Sequence, residues 1–414
     1  MATEYDAIVI GAGPAGATAA MYLGKAGKNV LLVDMAKFPR DKVCGDAQGR
    51  RAASIMKELG IYEGYTQIPG KGIYGMTLSS PKGIVIHLDV EDRNNPPQGY
   101  VHRRIDFDKY IFESAVKICK NFKIFKVTDL IIENGCVKGI KGTNEQGQPE
   151  EIRAKVVLAA DGANSTVAAK FGLNKNPLEH SIVAIRAYYK NVDDLTDRIE
   201  IHLVERVIPG YFWIFPMPNK GANVGLGMVV EDMNKKKLNL QDAMLKEIAE
   251  NPLFKDRFKN ATLETPPGIR GWSLPVGSYR RKSYGNGFML LGDAASLIDP
   301  LSGEGVGNAM ISGKLSAQIT MEALEKNDFS EKFLKKYDTE LWAVVGPEMK
   351  LNYKLQKIAK RFPGLVDKLL EKAAKDPEFK KKLEKHVPYT ANRDALLKED
   401  FLSELGLAAT FLGI

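Results

Sequence analysis

The sequence predicts an α/β fold in which a parallel-sheet unit is visited three times, with β-rich excursions between the visits. Three observations carry this. The first is the opening stretch, Ala7-Ile8-Val9-Ile10-Gly11-Ala12-Gly13-Pro14-Ala15-Gly16, an apolar run that breaks into glycines and then into a helical pattern from near Ala17. The second is a pair of later apolar runs of the same kind, one ending in Asp161-Gly162 and one leading into Gly292-Asp293. The third is strand-like patterning between these returns, from Lys71 to Val90 and again from about Ser181 to Gly277.

The opening stretch has the order that a dinucleotide-binding turn requires: a strand before the glycines, a helix after them and an acid at the end of the next strand. Gly11 permits the tight turn, Gly13 lets backbone N–H groups approach a pyrophosphate, and Gly16 lets the helix pack closely on the strand, whose helix N-terminus at Ala15-Gly16 faces the anion. The second strand, Val30-Leu31-Leu32-Val33, ends at Asp34, spaced to accept a ribose hydroxyl. The segment from Lys37 to Ala47 is dense in charge and small residues and is poor core material. Its Cys44-Gly45-Asp46 reads equally as a functional loop beside the nucleotide and as a surface turn whose cysteine is incidental.

Gln48 to Leu59 has a helical pattern. The run Ile73 to Leu78 and the run Gly83 to Leu88 read as strands, and the chain returns at Tyr100 to Asp108 into a helix from Lys109 to Cys119. Strands at 122–127 and 129–133, a turn at Asn134-Gly135 and a strand at 137–141 form a meander, closed by the apolar run from Ala154 to Ala160. The second excursion holds strands at 182–189, 199–204, 211–215 and 222–230 and a helix from Leu240 to Glu250. Its aromatics, Tyr188, Tyr189, Tyr211, Phe212, Trp213, Phe215 and Trp272, suit an ordinary sheet core or the wall of an apolar ligand site. After the strand 287–291, the loop from Ser302 to Asn308 is a second glycine-rich turn feeding a helix, and so a second set of N–H donors for an electron-rich ligand. From Phe329 onward the pattern is helical, with breaks expected at Gly346-Pro347, Phe362-Pro363-Gly364 and Asp376-Pro377.

The composition bounds the function. A chain of 414 residues with 44% hydrophobic and 27% charged residues can bury a large core in two or three units. No apolar run reaches the length of a bilayer span, and the first residues lack a signal-peptide pattern, so a cytoplasmic protein is expected, with peripheral membrane contact left open. Cys44, Cys119 and Cys136 have no metal-ligand spacing, which points away from a disulfide framework or a zinc site; Cys119 and Cys136 read as core residues. The net charge of +8 is concentrated between Lys350 and His386, where 12 Lys/Arg face 5 Asp/Glu. That tail reads either as a solvated helical face or as a surface for phosphates.

The three motifs Gly11-x-Gly13-x-x-Gly16, Asp161-Gly162 and Gly292-Asp293, in that order, resemble the FAD-dependent enzymes with the p-hydroxybenzoate hydroxylase fold. The resemblance implies a discontinuous Rossmann-like FAD-binding domain (1–72, 100–178 and 279–345), an inserted antiparallel β-sheet substrate domain (73–99 and 179–278) and a C-terminal helical region (346–414). Within that group, Lys42-x-Cys44-Gly45-Asp46-Ala47 and Tyr211-x-Trp213-x-Phe215-Pro216, with Asn308 after the glycine loop, resemble the geranylgeranyl reductase family, whose members saturate isoprenoid double bonds. One departure is Asp34, where the fold commonly places Glu; either carboxylate can accept from the ribose.

The resemblance implies FAD held at Gly11, Gly13, Ala15 and Gly16, with Asp34 on the ribose and Asp293 on the ribityl or phosphate portion. Asp161, Arg104, Val127, Gly303, Gly305 and Val306 complete the cofactor site, with Cys44-Gly45 beside the flavin. Cys44 is the candidate proton donor and Asp46 a second one, while Tyr211, Trp213 and Phe215 line a channel for the prenyl chain. The substrate implied is a polyprenyl lipid or a prenyl diphosphate, not a nucleic acid. Without a second complete dinucleotide turn, the electron donor is transient, NAD(P)H or ferredoxin. The aromatic motif is also similar to the tryptophan motif of flavin halogenases, but Tyr211 stands in place of its first Trp. Competing readings are an FAD monooxygenase acting on an apolar substrate and a non-enzymatic scaffold that retains the FAD domain. The oligomeric state is not legible.

Overall fold

The computed structural model describes residues 4–387, apart from Glu91 and Gln98, together with Leu396. The last part of the expected C-terminal helical region lies outside the described residues. The opening unit consists of β1 (Tyr5–Ile10), α1 (Pro14–Lys25) and β2 (Val30–Asp34), and its strands are buried from Ala7 and from Val30 onward. Strands covered on both faces read as unbroken apolar runs, which is why this part is so plain in the sequence.

A seven-stranded sheet is built around β1, which pairs in parallel with β2 on one side and with Pro149–Ala159 on the other. Phe288–Leu290 adds in parallel to Pro149–Ala159, and Phe122–Glu133 adds to β2. The two runs expected at 122–127 and 129–133 are one strand, because the irregularity at Thr128 is a register shift between Val127 and Asp129 and not a chain break.

An eight-stranded, mostly antiparallel sheet takes its strands from Ser181–Lys190, Arg198–His202, Tyr211–Met217, Gly221–Val229, Thr262–Leu263 and Arg270–Pro275, with Gly75–Ser79 and Val85–Asp89 at one end. The run Ile73 to Leu78 is divided: Gly70–Ile73 belongs to a third, three-stranded sheet with Gly99–His102 and Ala47–Gln48. Side chains alternate across a strand, so Tyr211–Met217 serves two surfaces at once. Phe212 and Ile214 enter the core beneath the helix Leu240–Glu250, while Trp213, Phe215 and Met217 face the opposite way with Tyr188 and Ile199.

The glycine loop opens the helix Val306–Lys326, which packs on α1. The break expected at Gly346-Pro347 is absent: one helix runs from Glu331 to Arg361 with Pro347 inside it. Its buried residues on both sides of the proline, Leu341, Trp342 and Val345 before it and Met349, Asn352 and Gln356 after it, hold the two halves to the same surface, which offsets the missing N–H. The breaks at Pro363 and Pro377 are present, and the helices they open, Pro363–Lys375 and Pro377–His386, pack Leu370, Ala373, Phe379 and Leu383 against Ile86 and Leu88. Cys119 is buried, but Cys136 is only half-buried, because it opens the strand that follows the exposed hairpin turn Asn134-Gly135. Among the described residues no helix is long and apolar enough to cross a membrane.

Candidate active site

A cavity of about 940 Å³ runs between the two larger sheets, from the glycine turns to the aromatic wall. With one exception, every residue expected at the site lines it: Gly11, Gly13, Ala15, Asp34, Cys44, Gly45, Asp46, Arg104, Val127, Asp161, Tyr211, Trp213, Phe215, Asp293, Gly303, Gly305 and Val306. The exception is Gly16, whose place is in the packing. A Cβ there would stand 1.8 Å from the Gly11 carbonyl oxygen, so helix and turn touch backbone to backbone. Gly11 has φ +93°, a left-handed value that favours glycine, and Gly13 opens toward the cavity, with Arg40 Nη2 its nearest neighbour at 3.5 Å from a built Cβ.

The nucleotide end is supported from behind. Asp34 accepts from the backbone N–H of Ala12 and of Ala36, each at 2.8 Å, which fixes its carboxylate while each oxygen retains a second lone pair. Asp161 accepts from Thr166 N at 2.8 Å, but its other oxygen, Oδ1, is buried without a hydrogen-bond partner, and burial raises its pKa. An orphaned acceptor beside open glycine turns fits a cofactor rich in hydroxyls. Asp293 stands in the turn Gly292–Ala295, whose backbone is braced by Arg281: Nη1 donates to Leu173 O at 2.7 Å and Nη2 to Asp293 O at 3.3 Å. Burial lowers the Arg281 pKa to about 10, against the opposing pull of Asp293.

The second glycine turn is shaped by Asp299. Its Oδ1 accepts from Leu301 N at 3.0 Å, Ser302 N at 2.7 Å and Ser302 Oγ at 2.8 Å, and its Oδ2 from Asn352 at 2.5 Å. The helix that follows has no acidic residue in its first turn, and neither has α1, although the Glu304 carboxylate lies against Gly307 at the start of the former. These are the positions at which FAD fits, with N–H donors for its anionic parts and carboxylates for its hydroxyls.

The cysteine loop is fastened to the helix Arg104–Cys119 and to the eight-stranded sheet. Asp108 takes Arg104 through Nε at 2.6 Å and Nη2 at 2.8 Å, and takes Arg40 at 2.9 Å. Burial works against the Arg104 cation, but Asp108 and then Cys44 hold its pKa above the ordinary guanidinium value. Asn223 is wholly buried and is used on all sides: Nδ2 donates to Cys44 O at 2.8 Å and to Asp46 Oδ2 at 2.9 Å, and Oδ1 accepts from Trp213 Nε1 at 2.9 Å. Asp46 also accepts from Tyr188 Oη at 2.7 Å and from Arg104 N at 3.3 Å, and burial raises its pKa to about 6. Gly45 is the point of closest approach, since a Cβ there would lie 3.0 Å from the Phe215 ring.

The sequence does not single out Asn223, Arg281, Arg186 or a role for Lys42. Lys42 lies within Lys42-x-Cys44-Gly45-Asp46-Ala47 and Tyr188 among the aromatics of the second excursion, whereas Asn223 carries no local signal. Tyr211, expected in the chamber wall, also donates from Oη to Ser302 O at 2.6 Å and so bridges the wall to the second glycine turn.

The fold and the site define an FAD-dependent oxidoreductase, and residues 4–346 match the FAD binding domain family. The chain is 33% identical over 339 residues to digeranylgeranylglycerophospholipid reductase 1 of Methanopyrus kandleri, covering 81% of this chain and 85% of that one. Among solved structures, a geranylgeranyl bacteriochlorophyll reductase-like protein of Thermoplasma acidophilum superposes with a TM-score of 0.80 at 27% identity, covering 93% of this chain and 99% of that one. The flavin-dependent brominase Bmp2 shares the fold, with a TM-score of 0.76 at 23% identity, covering 96% of this chain and 99% of that one. The chain belongs to the digeranylgeranylglycerophospholipid reductase family of FAD-dependent enzymes.

Proposed function

We propose that this chain saturates the isoprenoid double bonds of a geranylgeranyl lipid, either a membrane phospholipid or its prenyl precursor. The supporting observation is that one continuous cavity joins the glycine turns to the wall of Tyr211, Trp213 and Phe215. FAD, once bound and reduced, supplies the hydride. The chain's residues do the rest. The two helix N-termini and Asp34, Asp161 and Asp293 would hold the cofactor, and Arg104 and Val127 would border it. The apolar wall binds the prenyl chain, and each buried CH₂ contributes about 0.8 kcal/mol, so a C20 chain is held without polar contacts.

An unactivated alkene has no carbonyl to polarise, so the second carbon must take a proton from a well-placed donor. Cys44 Sγ holds that proton in this reading, and Arg104 beside it stabilises the thiolate that the transfer leaves. Asp46, whose oxygens are occupied by Tyr188, Asn223 and a backbone N–H, acts by holding the loop. The reductant is transient, NAD(P)H or ferredoxin. The lysines on the outer side of the helices Pro363–Lys375 and Pro377–His386 suit contact with an anionic membrane, next to Val387 at the cavity edge.

The test is an anaerobic single turnover: dithionite-reduced holoenzyme, a geranylgeranylated phospholipid, and mass spectrometry of the lipid. Gain of hydrogen pairs with flavin reoxidation is expected. Oxygen insertion on admitting air, with no reoxidation before it, would overturn the reading in favour of a monooxygenase.

A further inference from the structure

The strand Arg270–Pro275 pairs antiparallel with Ser181–Lys190, setting Leu274 opposite Ile182, Trp272 opposite Ala184 and Arg270 opposite Arg186. Alternation places these six side chains on one face, and all six line the cavity. The face changes character along its length, from Leu274 and Ile182, through Trp272 and Ala184, to two arginines. Exposure changes with it: Arg270 and Gly271 are exposed, Leu274 is half-buried and Pro275 is buried. On the outer strand the Arg270 end is therefore the end that opens to solvent, while Arg186 across from it is wholly buried. A wall that is apolar within and cationic at its mouth is shaped for an amphiphile with an anionic head.

The charges at this mouth are unequally satisfied. Arg186 is wholly buried, donates through Nη2 to both oxygens of Asp41 at 2.6 and 2.8 Å, and lies 4.1 Å over the Tyr188 ring. That pair leaves no net charge over, although Arg186 Nε and Nη1 are buried without a hydrogen-bond partner among the described residues. Arg270 donates from Nε to Pro267 O at 2.9 Å, within its own turn, and has no carboxylate at ion-pair distance among the described residues. The Lys42 ammonium lies 4.1 Å from the centre of the Trp272 ring and donates to Val43 O at 3.4 Å, again without an ion-pair partner among the described residues. Burial lowers its pKa; Asp293 and Cys44 act to hold its charge, and Arg104 and Arg40 act against it. A cation sheltered in this way is stabilised by an incoming anion more than by bulk water.

We propose that Arg270 and Lys42 form a phosphate subsite at the chamber mouth, with Trp272 between the anionic head and the chain, so that the prenyl substrate is selected in a phosphorylated form. Arg270 offers a planar fork of donors and Lys42 a point charge, the two usual partners of phosphate oxygens. The proposal rests on the reading of the chamber as a prenyl-chain site. The phosphate can belong to a lipid headgroup or to a free prenyl diphosphate.

The test measures binding without turnover, by flavin absorbance changes in oxidised holoenzyme. Geranylgeranyl diphosphate is paired with geranylgeraniol, and digeranylgeranylglyceryl phosphate with digeranylgeranylglycerol. In the unsubstituted protein at least one phosphorylated ligand is expected to bind about tenfold or more tighter than its neutral counterpart, and the pair with the larger ratio identifies the source. In Arg270→Gln and Lys42→Met the ratio is expected to fall to about threefold or less, with flavin content unchanged. Equal affinities in the unsubstituted protein, or a ratio that survives in the double variant, would overturn the subsite. Loss of flavin from Lys42→Met would assign that lysine to the cofactor and overturn its role here. If the ratio behaves as expected but no lipid is reduced, the reductase reading fails and the subsite stands; if neither member of either pair binds, the chamber reading and the subsite fall together.

Discussion

Replacing Asn223 by Ala is the sharpest test of how the cysteine loop is held. The amide makes three hydrogen bonds, buried ones with Asp46 Oδ2 and Trp213 Nε1 and a partly buried one with Cys44 O. Its removal leaves the indole N–H and the Cys44 carbonyl without those partners, while Asp46 keeps Tyr188 and the Arg104 N–H. A buried polar group left unpaired costs about 1–3 kcal/mol, so two give about 2–6 kcal/mol, less what cavity water restores on the Cys44 side. Urea unfolding at a fixed, saturating FAD concentration is expected to show a loss of about 3 kcal/mol, a large fraction of a total of about 5–15 kcal/mol. Because the loop carries Cys44, the rate of flavin reoxidation by lipid is expected to fall more than lipid affinity does, since a displacement of about 1 Å at a reacting group can cost about a hundredfold. A loss below about 1 kcal/mol, together with an unchanged reoxidation rate, would refute the reasoning from unpaired groups.

Three further outcomes follow from the same structure. Gly16→Ala places a methyl 1.8 Å from the Gly11 carbonyl oxygen, so the purified protein is expected to lose its flavin, read as the ratio of flavin to protein absorbance. Cys44→Ser is expected to retain flavin and bind lipid but to lower the single-turnover rate by about a hundredfold or more, the usual worth of a positioned proton donor; a rate within about threefold of the unsubstituted protein excludes Cys44 from that role. Burial raises the Asp46 pKa to about 6, so the stability contributed by its protonated form is complete below the ordinary carboxylate range and is lost as pH rises through about 6. Between about pH 4 and about pH 7 the unsubstituted protein is therefore expected to lose about 2.4 kcal/mol relative to Asp46→Asn, and a flat difference in urea unfolding would contradict this.

What the sequence disclosed was what is encoded locally. Gly11, Gly13 and Asp34 act through the backbone of their own strand–turn–helix, and Tyr211, Trp213 and Phe215 share a face because a strand repeats every two residues. Gly45 is visible as part of a motif, but its reason is the Phe215 ring, which belongs to the distant strand Tyr211–Met217. Asn223 was invisible because its partners lie 179 and 177 residues away at Cys44 and Asp46, and a lone Asn in an apolar strand has no pattern to betray it. Pro347 misled for the complementary reason: its local preference is to break a helix, and long-range packing of Val345, Met349 and Gln356 overrides it. The pairing of Arg270 with Arg186 likewise depends on a register that only the assembled sheet defines.

The hydrogen bond from Tyr211 to Ser302 makes one mechanical body of two parts that the chain builds separately. A ligand that shifts the Tyr211 ring also shifts the carbonyl that anchors the second glycine turn, and a change at that turn is returned to the ring. Thermodynamic linkage makes such an influence equal in both directions. Were FAD to rest against that turn, the filling of the chamber and the state of the flavin would be linked through this one bond.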